Sequence, residues 1–133
     1  MSRSHSNTFL NATVDNLDIS EPLQAGYPIR KMKVTMDINR SVLSEYSHFI
    51  AYADLIGGPG SPCHLGQKRR EANEYERECY LPKWKRFNFS IRDEYSCPEA
   101  GDVVIRVSVY GYLKNTFQEV FVGAKDEAVR VYY

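Results

Sequence analysis

From Val103 to Tyr110 the chain reads VVIRVSVY, placing Val103, Ile105, Val107 and Val109 on one side and Val104, Arg106, Ser108 and Tyr110 on the other. Successive side chains of a strand point to opposite faces, so this period of two fits a strand and no helix. The same period recurs in Met32, Val34, Met36 and Ile38, against Lys33, Thr35 and Asp37. It recurs again in Phe87, Phe89 and Ile91, against Arg86, Asn88 and Ser90. These are strands with one wet side, and they must bury their apolar faces against a second layer.

His48 to Ile56 is apolar on both sides, with Phe49, Ala51, Ala53 and Leu55 opposite Ile50, Tyr52 and Ile56, which marks a strand central to its sheet. Thr8 to Val14 alternates through Leu10, Ala12 and Val14, with Leu17 and Ile19 continuing past a kink at Asp15 and Asn16. Pro22 and Pro28 exclude a central strand between them. Asn39 to Tyr46 reads as a turn-like crossing and Gln67 to Glu78, charged and without an apolar stripe, as a solvated loop, with a helical turn or the end of an edge strand within it as the alternatives. Gly111 to Asn115 reads as a turn, Phe117 to Val122 as a strand, Ala124 to Glu127 as a polar turn, and Val129 to Val131 as a closing strand. The expected fold is therefore all-β, an antiparallel β-sandwich of seven or eight strands, C2-like or immunoglobulin-like. Residues 1–7 form an arm and 8–133 one sandwich domain, the size that one core of a 133-residue chain can fill.

Lysine and arginine balance aspartate and glutamate at 17 each, so no whole-molecule field collects a polyanion, which argues against nucleic acid as partner. Basic residues interleaved with Tyr80, Trp84 and Phe87 are only a weak stacking pattern. The glycine-rich stretch Gly57 to Pro62 is followed by no Lys-Ser/Thr and no helical pattern, so it reads as a turn and not a phosphate cradle. Cys63, Cys79 and Cys97 contain no CxxC pair, and their spacing beside His64 does not suit zinc; no metal or cofactor is expected. In an oxidising compartment Cys63 and Cys79 could close a short irregular loop.

The polar N-terminal residues lack the apolar core of a signal peptide, which favours a cytoplasmic or membrane-peripheral protein. Against this stand three Asn-x-Ser/Thr sequons, at Asn11, Asn39 and Asn88; if a signal peptide has been removed, these are candidate glycosylation sites of a secreted protein.

Leu81-Pro82-Lys83-Trp84, then Phe87-Asn88-Phe89, then Val103 to Tyr110, and finally Glu119 to Gly123 follow one another in an order that resembles the C2 domain family, over roughly residues 32–123. The resemblance implies Met32 to Ile38 as the first core strand and Phe49 to Leu55 as the next. Where calcium-binding members carry aspartates, this chain has Tyr110 and Tyr112 around Gly111, and Glu45, Tyr46 and Ser47 in the other loop. Calcium requires several converging hard oxygen ligands, so the resemblance implies a calcium-independent member. Such members meet anionic lipid or a protein partner through basic strands and loop tips.

The matching residues are a basic patch of Lys68, Arg69, Arg70, Lys83, Lys85 and Arg86 and a loop tip of Tyr110, Tyr112, Leu113 and Lys114. The plain alternative for the patch is solvated charge neutralised by the intervening glutamates, and a lone tryptophan beside Phe-x-Phe, Trp84, reads as core. No nucleophile, base and orienting group stand in a recognisable local pattern, so an enzyme is not expected. The expected function is a non-enzymatic binding module for a protein partner or an anionic membrane surface. The alternative is a secreted or surface glycoprotein with an immunoglobulin-like or lipid-binding sandwich. Nothing in the sequence sets the oligomeric state.

Overall fold

A computed structural model of the chain describes residues 11–73, 83–95 and 98–133. Eight strands stand in these residues: β1 Ala12–Ile19, β2 Leu23–Gln24, β3 Met32–Asn39, β4 Tyr46–Gly57, β5 Cys63–Glu71, β6 Trp84–Ile91, β7 Gly101–Leu113 and β8 Glu119–Tyr132. Among the described residues one short helix, α1 Arg40–Leu43, follows β3, and the Asn39 side chain caps it by accepting a hydrogen bond from the Ser41 amide. The strands form two packed sheets, β1-β3-β6 and β2-β8-β7-β4-β5, an all-β sandwich as the alternation predicts. All pairings are antiparallel except the two-residue contact of β2 with β8.

The three clearest period-two runs face inward as expected. Val34, Met36, Phe87 and Phe89 of the smaller sheet meet Phe49, Ala51, Ile105 and Val107 of the larger, all buried. The Phe49 and Phe87 rings touch across the layers at 5.4 Å between centroids, and Tyr46 packs on Phe49 at 5.1 Å. Gly111, inside β7, belongs to this cluster by what it lacks, since a Cβ there would lie 2.6 Å from a Tyr46 ring carbon.

Three expectations are corrected. Of the charged stretch, residues 67–71 are not a loop but the outer half of β5, the end of an edge strand that the alternative reading allowed, which pairs with β4 through Glu71 and leaves its other side as an edge, where charged side chains are tolerated; residues 74–78 lie outside the described residues. Residues 119–132 are one long strand without a turn at 124–127, because every residue from Ala124 to Glu127 pairs with β7. Trp84 is 42% exposed, since β6 places it on the same outward parity as Arg86.

Candidate functional site: the outer face of the five-stranded sheet

A strand that buries every second residue leaves the others on its outer face, and a bulge changes which residues those are. The larger sheet has a bulge at Ser47, where Tyr46 pairs with Leu113 but His48 pairs with Tyr112. It has a second at Leu65, where Gly66 pairs with Ala53 but His64 with Asp54, a third at Val122, where Gly123 pairs with Val109 but Phe121 with Tyr110, and a fourth at Ile56, where Leu55 pairs with Ile105 but Gly57 with Val104. The extra residue of each of the first three sits beside a ring. Together they put His48, His64 and Phe121 on the same outer face as Tyr52, Tyr110 and Tyr112, while Tyr46, Leu65 and Val122 stay in the core.

The rings form two sets of contacts, joined through the Tyr52 and Tyr112 hydroxyls. His48 stacks on Tyr112 at 4.6 Å with planes 11° apart, Tyr52 meets Tyr110 edge-on at 5.9 Å, and Tyr110 meets Phe121 edge-on at 5.4 Å. His64 joins from β5, 6.1 Å from Tyr52, and Tyr95 lies 5.9 Å beyond it. Their polar ends are tied together. The Tyr112 hydroxyl donates to Glu119 Oε2 at 2.6 Å, and, its one proton thus engaged, it accepts from the Tyr52 hydroxyl at 3.1 Å. Desolvation, then the bonds to Glu119 and Tyr52, raise the Tyr112 phenol above its ordinary range, so it stays a neutral donor near neutral pH. His48 is displaced downward, first by desolvation and then by the charge of Arg69, with Glu71 opposing, which favours the neutral imidazole that stacks on Tyr112. His64 Nδ1 lies 2.8 Å from Asp54 Oδ1.

Around the rings the charges are paired. Arg69 meets Glu71 at 2.6 Å, and Arg106 holds Asp126 through two bonds of 2.7 and 2.9 Å. At the hairpin between β7 and β8, Phe117 is 73% exposed and takes φ 56°, a left-handed conformation that a bulky residue adopts only under constraint. Its amide donates to the Leu113 carbonyl, closing the turn.

The sequence-derived loop tip is therefore displaced. Tyr110, Tyr112 and Leu113 are strand residues of β7, because Phe121 and Glu119 pair with the two tyrosines across the hairpin and Tyr46 of β4 pairs with Leu113; of the four only Lys114 lies in the turn, with Phe117 as its apolar member. The six basic residues do not form one patch. Arg69 and Arg86 occupy opposite outer faces of the sandwich, and Arg86 is bound to Asp37 at 2.8 and 2.9 Å. Lys85 is buried with its Nζ 4.9 Å from the centre of the Phe87 ring, and the Arg70 guanidinium lies 5.9 Å from the same ring while donating to the Asn88 carbonyl. These two cations cover the open edge between β5 and β6 with their stems. Lys68 and Lys83 are exposed.

Of the sequon asparagines, Asn39 is 8% exposed and occupied as the cap of α1, whereas Asn11 and Asn88 are exposed, Asn88 accepting from the Thr35 hydroxyl at 3.2 Å. Expressed through a secretory route, the folded protein is expected to carry glycan at Asn11 and none at Asn39, read by glycopeptide mass after enzymatic deglycosylation in heavy water; occupancy at Asn39 would contradict the buried cap. Cys63 is disulfide-bonded, and the other cysteines, Cys79 of the expected pair and Cys97, lie outside the described residues. Among those residues, no group of histidine, cysteine and carboxylate could hold a metal ion, and no helix is long and apolar enough to cross a membrane.

A scan of known protein families finds no match to this chain, and no curated protein is significantly similar to it.

Proposed function

We propose that this protein is a non-enzymatic binding module that docks a protein partner through the outer face of its five-stranded sheet. The observation that carries this reading is that three of the four bulges in this sheet stand beside rings, His48, His64 and Phe121, on one tyrosine-rich face. Bulges are over-represented at sheet edges and beside functional sites, where they re-aim a side chain. Tyrosine-rich centres with a polar rim are the usual composition of protein interfaces. The rim supports a protein over an anionic membrane, because Arg69 and Arg106 are already neutralised by Glu71 and Asp126 and contribute little attraction to a charged surface.

Affinity capture from the source tissue, comparing wild type with Tyr110→Ser/Phe121→Ser and with Lys68→Glu/Lys83→Glu, tests the proposal. A partner retained by the charge variant and reduced about tenfold or more by the ring variant is expected, since two interface rings contribute roughly 2 kcal/mol or more. Partners unaffected by the ring variant would overturn it. So would salt-sensitive flotation with anionic liposomes that the charge variant abolishes, which would return the function to membrane docking.

A further inference from the structure

Two arginines differ from all the others described. Arg69, Arg86, Arg106 and Arg130 each meet a carboxylate, Arg70 donates to a carbonyl, and Arg40 is also engaged. Arg30 and Arg92 alone, among the described arginines, have no ion pair or side-chain hydrogen bond. Both line the same cavity, of about 650 Å³, at the end of the smaller sheet. Their spacing is fixed by the backbone. Beyond the Met32–Ile91 pair the Asp93 amide donates to the Ile29 carbonyl at 3.0 Å, and the buried Asp93 carboxylate accepts from the Ile29 amide at 3.3 Å and the Tyr95 amide at 2.9 Å. The segments carrying Arg30 and Arg92 are thus clamped side by side.

The rest of the lining is mixed, with Leu23, Ile29, Tyr27 and two prolines beside the polar Ser20 and Gln24. Leu23 and Ile29 are buried, and Tyr27 is 62% exposed. Glu21, also in the lining, leaves a single excess positive charge. A pocket of this size with an apolar wall and convergent polar groups is a form that small-molecule sites take.

We propose that this cavity binds a small organic carboxylate with an apolar body, Arg30 and Arg92 taking the carboxylate and Leu23, Ile29 and Tyr27 the body. Guanidinium groups match a planar carboxylate with paired donors. The Glu21 charge suits a monoanion and disfavours a phosphate dianion. None of the lining residues belongs to the ring-bearing face, so the site is independent of partner docking.

Titration of the full chain with benzoate, followed through the Leu23 and Ile29 methyl signals by NMR, tests this, with benzylamine and inorganic phosphate as comparisons. Saturable shifts with benzoate are expected, about tenfold weaker in Arg30→Gln or Arg92→Gln, with an unchanged thermal midpoint because neither side chain has a partner to lose. The absence of saturation in the millimolar range, benzylamine equal to benzoate, or unaltered binding in the double variant would overturn the site. Tighter binding of phosphate than of benzoate would overturn the carboxylate assignment.

Discussion

Phe49→Ala is expected to lower the unfolding free energy by about 3–5 kcal/mol, the range for emptying a core phenylalanine position. Phe49 is fully buried in β4, which is hydrogen-bonded on both sides, to β5 and to β7. Its ring touches Tyr46 in its own sheet and Phe87 in the other, so it joins the layers instead of filling one of them. Its removal leaves a space that its neighbours cannot close, because the Tyr46 ring is held above Gly111 and Phe87 is fixed by the pairing of β6 with β3. A domain of this size has roughly 5–15 kcal/mol of stability in all, so the substitution takes a large part of it. The thermal midpoint is expected to fall by roughly 10–20 °C. Phe49→Leu, which refills part of the volume, should cost less than half as much. Ile56→Ala, at a side chain 39% exposed on the outer side of the same strand, should cost under about 1 kcal/mol. Chemical denaturation of the three variants checks the order; an equal loss for Phe49→Ala and Ile56→Ala would show that the contact between layers is not where the stability resides.

The core was legible because alternation is a one-dimensional signal. Met32 to Ile38, Phe87 to Ile91 and Val103 to Val109 each reveal their inner face without knowledge of any partner strand. The same independence limits what those runs can say of ancestry. Phe-x-Phe in β6 and Val-x-Val in β7 are what a half-buried strand produces in any sandwich, so their positions speak for the fold and not for the C2 family. The ring-bearing face was only partly legible, for a reason in the bulges. Tyr110 and Tyr112 keep regular parity within β7 and were found, although as a loop. His48, His64 and Phe121 lie next to bulged residues, and a bulge is a relation between two strands that one strand's sequence does not record. Consecutive buried residues, at Leu65 and Gly66 and at Val122 and Gly123, are its local trace, and before pairing is known they look like the end of a strand. The basic residues fail as a patch for a related reason. Lys83, Lys85 and Arg86 are neighbours along the chain, but alternation turns Lys85 into the core and Arg86 out to Asp37.

Reduction of the Cys63 disulfide should be the second large effect. Cys63 opens β5, the edge strand of the larger sheet, which is held by β4 on one side only. With either Cys79 or Cys97 as partner, the loop-entropy relation gives a stabilisation of about 3–4 kcal/mol. Cys63→Ser is therefore expected to lose about that much, and wild type in reducing agent should lose the same, while the variant should be indifferent to reducing agent. The described residues around Cys63 also bear on which peptide it carries. The Glu94 amide donates to the Leu65 carbonyl and the Tyr95 ring lies against His64, so the segment that leads toward Cys97 runs beside Cys63. The segment holding Cys79 starts after Asn73 and ends before Lys83, and both of its described anchors lie at the other end of β5 and β6, where Arg70 reaches the Asn88 carbonyl. Non-reducing peptide mapping is thus expected to recover Cys63 linked to the Cys97 peptide, with Cys79 available to alkylation. Recovery of the Cys63–Cys79 peptide would overturn that assignment, and an unchanged midpoint in reducing agent would remove the covalent link from what holds β5 in place.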